Sequence, residues 1–213
     1  MRYILNKCII IFRTKDSLKK GFFLFFTGFL FNAFSQQNFK IFPFKSIIVE
    51  YTVDYLGNNS KAKRILYADD YGRKLCMDFT IQIDQEKKHF IYILNPKECI
   101  AVNMNMKIGA RRKIPSELLD DKGLIGWFYE ILYGERKRKI ANKENFKRVE
   151  KLLDKECEVY ESGEKKYWIW NNLILKIEDS SRIEIVSKIQ TEISISSERF
   201  KAPKGVFILP KIF

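Results

Sequence analysis

Histidine is nearly absent from this chain: His89 is the only one among 213 residues. A histidine-based triad needs a nucleophile and an orienting acid gathered around the imidazole. Residues 87–92 (KKHFIY) offer neither, and no G-x-S-x-G elbow occurs anywhere. One histidine and scattered cysteines cannot assemble the usual zinc ligand sets without carboxylates. A phosphate-binding loop and a dinucleotide fingerprint are missing too. Asp69-Asp70 and Asp120-Asp121 are paired carboxylates, but both lie beside turn residues, where Asp is favoured for backbone reasons. A hydrolase would need one of the first pair to face His89 in a common cleft. The expectation is a protein that is not an enzyme, with no cofactor and no metal. Glycine (10) and proline (5) are scarce and 46% of residues are hydrophobic, which excludes collagen-like and disordered chains. No internal repeat or domain linker is evident.

What is abundant is phenylalanine, and it is unevenly placed. Eight of the 18 (Phe12, Phe22, Phe23, Phe25, Phe26, Phe29, Phe31 and Phe34) precede residue 36. Lys19 and Lys20 lead into an uncharged run, 21–34, that exits through Ala33-Phe34-Ser35 to Gln36-Gln37. A basic region, a short apolar stretch and a small-x-small exit read as a secretory signal peptide, 1–35, cut near Ser35-Gln36. The run is short for a bilayer span, which takes about 20 apolar residues. The expected address is the periplasm or beyond. The remaining residues, 36–213, form one domain and keep a net charge of +8 out of the chain's +13, because the leader holds six basic residues and one acidic one. Three cysteines stay with it, Cys76, Cys99 and Cys157. In an oxidising compartment one pair can bridge and one is left over, and spacing does not say which.

From Ile47 onward the hydrophobic period is two. Ile47, Val49, Tyr51, Val53 and Tyr55 alternate with polar neighbours, then turn residues 57–60 intervene. Strands follow at 63–68, at 75–83 with Leu75, Met77, Phe79 and Ile81 on one face, and at 89–94. Ile100, Val102, Met104 and Met106 alternate through a further strand. Turn signals at short, regular intervals make this an antiparallel meander. In the middle, Leu124, Trp127, Phe128, Ile131 and Leu132 recur at helical spacing, which predicts a helical insertion over about 116–134. Residues 143–155 fit either a helix or a strand. Beyond them 156–161 and 165–170 flank Ser162-Gly163, a hairpin signal. One or two long strands run through Ile183–Ile195, with alternation broken near Val186-Ser187. The tail, with Pro203, Gly205 and Pro210, is extended edge structure at most. The fold class expected is α+β, mainly β: a curved antiparallel sheet or half-barrel of about eight to ten strands with a mid-chain helical lid.

Two residue groups stand out for binding. Arg111, Arg112 and Lys113, with Lys107, flank one side of the helical segment, and Arg136 and Arg138 flank the other as part of a basic run. A secreted destination favours an anionic headgroup or an acidic envelope protein over nucleic acid as partner for this rim. The aromatic group is Trp127, Phe128, Tyr129 and Tyr133 with Trp168 and Trp170, the last two sharing a strand face. With the helices over the sheet, these side chains would line an apolar cavity.

Short motifs carry a resemblance. Tyr71-Gly72-Arg73-Lys74, the stretch 154–160 around Cys157 and Tyr160, Trp170 leading into Leu175-Lys176, and Phe200-Lys201-Ala202-Pro203-Lys204-Gly205 are similar to signatures of small secreted Gram-negative proteins of unknown function. The chain order resembles the outer-membrane lipoprotein carrier superfamily. That resemblance implies an unclosed β-barrel with a helical lid, a hydrophobic-ligand cavity beneath it and no covalent chemistry. It favours strand over helix before Cys157. It also implies a buried arginine that holds the lid closed, for which Arg64 and Arg73 are the candidates on early strands. The expected function is a periplasmic binding protein for a lipid, acyl chain or apolar peptide. Leu75, Met77, Phe79, Ile81, Met104 and Met106 would form the floor. Trp127, Phe128 and Ile131 would form the lid, and Trp168 or Trp170 a wall. The competing expectation is an envelope interaction or assembly protein with a packed core and no small ligand.

Overall fold

In the computed structural model, residues 40–57, 60–96, 98–113 and 140–209 are described. They belong to the second of two compact units, Phe39–Phe213. Twelve strands form one open sheet: β1 (Ile47–Tyr55), β2 (Lys61–Asp69), β3 (Lys74–Ile83), β4 (Glu86–Leu94), β5 (Glu98–Asn103), β6 (Ile108–Lys113), β7 (Phe146–Leu152), β8 (Lys155–Ser162), β9 (Lys165–Trp170), β10 (Leu173–Glu178), β11 (Arg182–Thr191) and β12 (Phe207–Leu209). Their spatial order is β12-β6-β5-β4-β3-β2-β1-β11-β10-β9-β8-β7. Neighbours are antiparallel except β12, which runs parallel to β6. Thus β1 pairs with both β2 and β11, joining the two meanders into one sheet.

This corrects the α+β expectation. Among the described residues the helical pieces are two short 3-10 turns, Asp70–Gly72 and Ser197–Phe200, and the single residue Ile140, and the class is all-β with twelve strands rather than eight to ten. The physical reason is visible in β7. Its sequence, FKRVEKL, fits a helix by spacing, yet it pairs along its length with β8. Continuous pairing consumes the chain on both sides of the central strands. The segment expected to be helical, 116–134, lies outside the described residues.

Alternation explains the core. On β1, Ile47, Val49, Tyr51 and Val53 are buried while Thr52 and Asp54 are exposed; this buried side is called the front face. The back face is apolar across β3–β5, through Cys76, Ile91, Ile93, Ile100 and Val102. The chain after β11 covers it as a strap, packing Ile195, Phe200, Ala202, Val206 and Ile208 there. Each fully buried aliphatic or aromatic side chain contributes about 1.5–3 kcal/mol relative to exposure. The break in alternation near Val186-Ser187 is a bulge: Tyr51 faces Val186 and Glu50 faces Lys188, so Ser187 is the extra residue.

The Tyr71-Gly72 motif has a structural role. Tyr71, at φ 58°, accepts hydrogen bonds from the backbone N–H groups of Ile41 (2.8 Å) and Phe42 (3.2 Å) and donates its own to Lys45 (3.0 Å). Gly72 sits at φ +90°, and a Cβ there would stand 2.7 Å from the Ile41 Cβ. Only glycine allows both the backbone angle and the approach. Ile41 and Phe42 are thereby held in the core.

The described cysteines are all free. Cys76 joins the back-face cluster, while Cys99 pairs with Leu94 and so follows Leu75 on the front. Those two thiols project to opposite sides of the sheet, so no bridge joins them.

Candidate functional site

Register resolves the front face into cross-strand rows. One row runs Phe207, Ile108, Asn103, Phe90, Phe79, Arg64, Tyr51 and Val186. The next runs Leu209, Ala110, Ala101, Tyr92, Met77, Leu66, Val49 and Ile189. A third runs Lys88, Ile81, Ala62, Val53, Glu184, Ile177, Tyr167, Tyr160 and Phe146. Leu75 belongs to the row of Leu94, Ala68 and Ile47. The rows are apolar nearly from edge to edge.

Exposure along them is graded. Val49, Tyr51, Val53, Leu66, Leu75, Met77 and Ile81 are buried. Toward β4, Phe79, Phe90 and Tyr92 are half-buried, with the Phe79 and Phe90 rings stacked at 6.5 Å between centroids. Beyond them Ile108 and Phe207 are exposed. The face is therefore closed over the central strands and progressively open toward the β12 edge.

One charged pair interrupts it. Arg64 on β2 and Glu184 on β11 form an ion pair, 5% and 3% exposed, and the Arg64 guanidinium lies 4.3 Å from the centre of the Tyr51 ring. A buried charge survives only if paired and hydrogen-bonded. Sequence reasoning named Arg64 only as a candidate and missed Glu184. The available signal was phase, since both residues occupy the apolar phase of their strands, beside Ala62 and Leu66 in one case and Val186 in the other. Arg73, the other candidate, pairs with Asp70 at 2.6 Å at a half-exposed turn.

The expected floor divides. Leu75, Met77, Phe79 and Ile81 do share the front face. Met104 and Met106 do not join them: β5 ends at Asn103, Met104 packs against the back-face cluster, and Met106 lies in the turn with 65% exposure. Asn103 explains the early end, because its Oδ1 accepts from the N–H groups of Asn105 and Met106 (both 3.1 Å) and folds the turn. Trp168 lies opposite Lys176, which in turn faces Ile185, so it projects from the back, away from Tyr167 and Ile177. Its indole N–H donates to Glu150, which together with Arg148 holds that carboxyl below its ordinary range, and Lys176 lies over its ring. Trp170 stacks on Phe44 at 5.1 Å. Trp127, Phe128, Ile131, Arg136 and Arg138 lie outside the described residues. Of the remaining rim, Arg111 pairs with Glu98 at 3.1 Å, and Arg112 and Lys113 end β6.

His89 does not face Asp69 or Asp70. Its Nε2 lies 2.8 Å from Asp78 on the back face, and Arg199 of the strap approaches the same carboxylate at 3.9 Å. Among the described residues, no group of three or more His, Cys, Asp or Glu could hold a metal ion. A shallow depression of about 330 Å³ is lined by Ala141, Asn142, Lys143, Phe146, Glu158 and Tyr160, where the third row reaches the β7 edge.

No family model and no curated protein matches the chain. Among solved structures, an uncharacterized conserved protein from Thermus thermophilus aligns with a TM-score of 0.48 and 10% identity, over 78% of this chain and 90% of that one. PNGF-II aligns with a TM-score of 0.36 and 12% identity, over 78% of this chain and 31% of its own length. Likenesses of this order carry no functional conclusion.

Proposed function

We propose that the protein is a secreted, non-enzymatic binding protein of the Gram-negative envelope that holds an acyl chain, a lipid or an apolar peptide against the front face of its sheet. The observation that carries the reading is the graded exposure of the front rows. Phe79, Phe90 and Tyr92 form a half-open apolar shelf whose Tyr92 row runs into buried Met77, Leu66 and Val49, while the row of Phe79 meets the Arg64–Glu184 pair. A ligand chain laid on the shelf extends an existing apolar surface, gaining about 25 cal/mol per Å² buried. Met77 suits this surface because its unbranched side chain adapts to varied apolar partners. The leader motif supports the address, and the chain order supports kinship with lipoprotein-carrier-like proteins.

The testing variant is Phe90→Asp. It places a carboxylate on the shelf at a half-buried position, so the sheet should keep its circular dichroism while uptake of a fluorescent apolar probe falls at least about tenfold. Undiminished uptake by a folded variant removes the shelf from the binding site.

A second reading is favoured by the β7 edge, where Phe146 and Val149, with Leu153 just beyond, are exposed on a strand paired on one side among the described residues. It makes the protein an envelope docking module with a packed core. That reading predicts no probe uptake at all.

A further inference from the structure

One corner of the sheet, where the front rows reach the β12 edge, is built for a further contact. The turn 104–107 between β5 and β6 is tied down on both sides. The Asn105 side chain accepts from the His89 N–H (2.7 Å) and donates to the Lys87 carbonyl (2.8 Å). From the other side, the Phe207 N–H donates to the Lys107 carbonyl at 2.9 Å as β12 joins β6. The corner thus has a fixed shape, and at its tip it presents Met106 and Phe207, each 65% exposed, with Ile108 and Leu209 beside them at 39% and 37%. Single exposed apolar residues are ordinary. Met106 in the braced turn, with Ile108 opening β6 and Phe207 and Leu209 on the β12 strand paired to it, makes a cluster of the kind that marks a contact site.

The charges nearest this patch in sequence are basic. Lys87 and Lys107 are exposed at the corner, Lys204 is exposed three residues before Phe207, and no acidic residue falls between Cys99 and Lys113 or between Arg199 and Leu209. Of the neighbouring acids, Glu86 pairs with Lys88 at 3.3 Å, Glu98 with Arg111 at 3.1 Å and Glu198 with Lys201 at 2.6 Å, while Asp84 lies exposed in the β3–β4 turn. We infer that this corner docks on an anionic bilayer surface, with Met106 and Phe207 entering the headgroup–acyl boundary and Lys87, Lys107 and Lys204 against acidic headgroups. The occupant follows from shape and charge together. The apolar groups protrude instead of lining a groove, and the cations are long, separate side chains without a bidentate arrangement. A protein partner would need a matching concavity. A bilayer accepts a protruding tip and reads charge diffusely. Neither signal suffices alone, since apolar insertion and electrostatic attraction add for interfacial binding.

The test uses the full chain recovered from secreting bacterial cells and vesicles of neutral lipid alone or with about one-third anionic lipid. The readout is hydrogen exchange of peptides spanning 103–109 and 204–209, which is local and so independent of any affinity of the leader for lipid. Anionic vesicles should protect both peptides and neutral ones should not. Replacing Met106→Ser with Phe207→Ser, both exposed and tolerable to the fold, should weaken vesicle affinity at least about tenfold. Replacing Lys87→Gln, Lys107→Asn and Lys204→Gln should cost about fivefold per charge, on anionic vesicles only; Asn at 107 suits the φ of 52° found there. Absence of protection on anionic vesicles, equal protection on neutral ones, or variants bound as tightly as the parent overturns the inference.

Discussion

Arg64 and Glu184 stand 120 residues apart in sequence and form an ion pair across the intervening strand β1, between the side chains of Tyr51 and Val53. Both are nearly fully buried on a face that is otherwise apolar. The pair ties the first meander to the second at the middle of the sheet. Removing one partner leaves the other as an uncompensated buried charge. Arg64→Ala or Glu184→Ala alone should therefore cost about 3–5 kcal/mol, whereas Arg64→Met with Glu184→Leu should lie within about 2 kcal/mol of the parent. Urea denaturation of the three variants decides this; equal losses in single and double variants would mean that the pair is not the reason for the cost.

Gly72 holds the segment 41–46 to the sheet. Gly72→Ala meets both a positive φ and a contact with the Ile41 Cβ, so it should cost about 2 kcal/mol or more. The loss should appear as faster proteolysis near Ile41 and Phe42. The hairpin at Gly163, also at positive φ but with open space around it, should tolerate Asn.

Acid should loosen the β10–β11 turn. Asp179 is partly desolvated, which alone would raise its pKa, but hydrogen bonds from the Ser181 hydroxyl, the Ser181 N–H and the Arg182 N–H outweigh this and hold the carboxyl below its usual value. A depressed carboxylate contributes stability that is present above its unfolded pKa, about 4, and is lost as pH falls through the lower folded value. Asp179→Asn should thus lower stability at neutral pH by on the order of 1 kcal/mol and flatten the pH dependence below about pH 4. An unchanged acid limb would assign that dependence to other carboxylates, such as Glu50 beside Lys63.

Thiol chemistry should separate the cysteines. Burial pushes Cys76 up to about 12 and Cys157 to about 11, so neither carries appreciable thiolate at about pH 8. Cys99, half-buried on the front face, should react first with an aromatic disulfide reagent, and the others only after denaturation. Rapid labelling of Cys76 in the native protein would show that the strap over the back face opens readily.

Much of the sheet is legible because period-two alternation in 47–55 and 75–83 survives in the fold, and because glycine and asparagine mark the turns. Alternation, however, does not announce where a strand stops. Met104 and Met106 continue the pattern of Ile100 and Val102, and only the Asn103 side chain, which caps the turn, ends β5. Nor does it fix which face a later strand presents, so spacing groups Trp168 and Trp170 with Leu75 and Met77 although register carries them to the other side. β7 is ambiguous because an edge strand, exposed on both faces, has no apolar phase to read. The Arg64–Glu184 pair requires register across three strands, which spacing along the chain does not contain.

The central claim is that the front face holds an apolar ligand, and native mass spectrometry of the protein purified from a bacterial periplasm, with solvent extraction of what it carries, tests it most directly. The account predicts a stoichiometric lipid, fatty acid or apolar peptide that is absent from the Phe90→Asp variant. A clean protein mass that takes up neither added lipid nor apolar dye would contradict it.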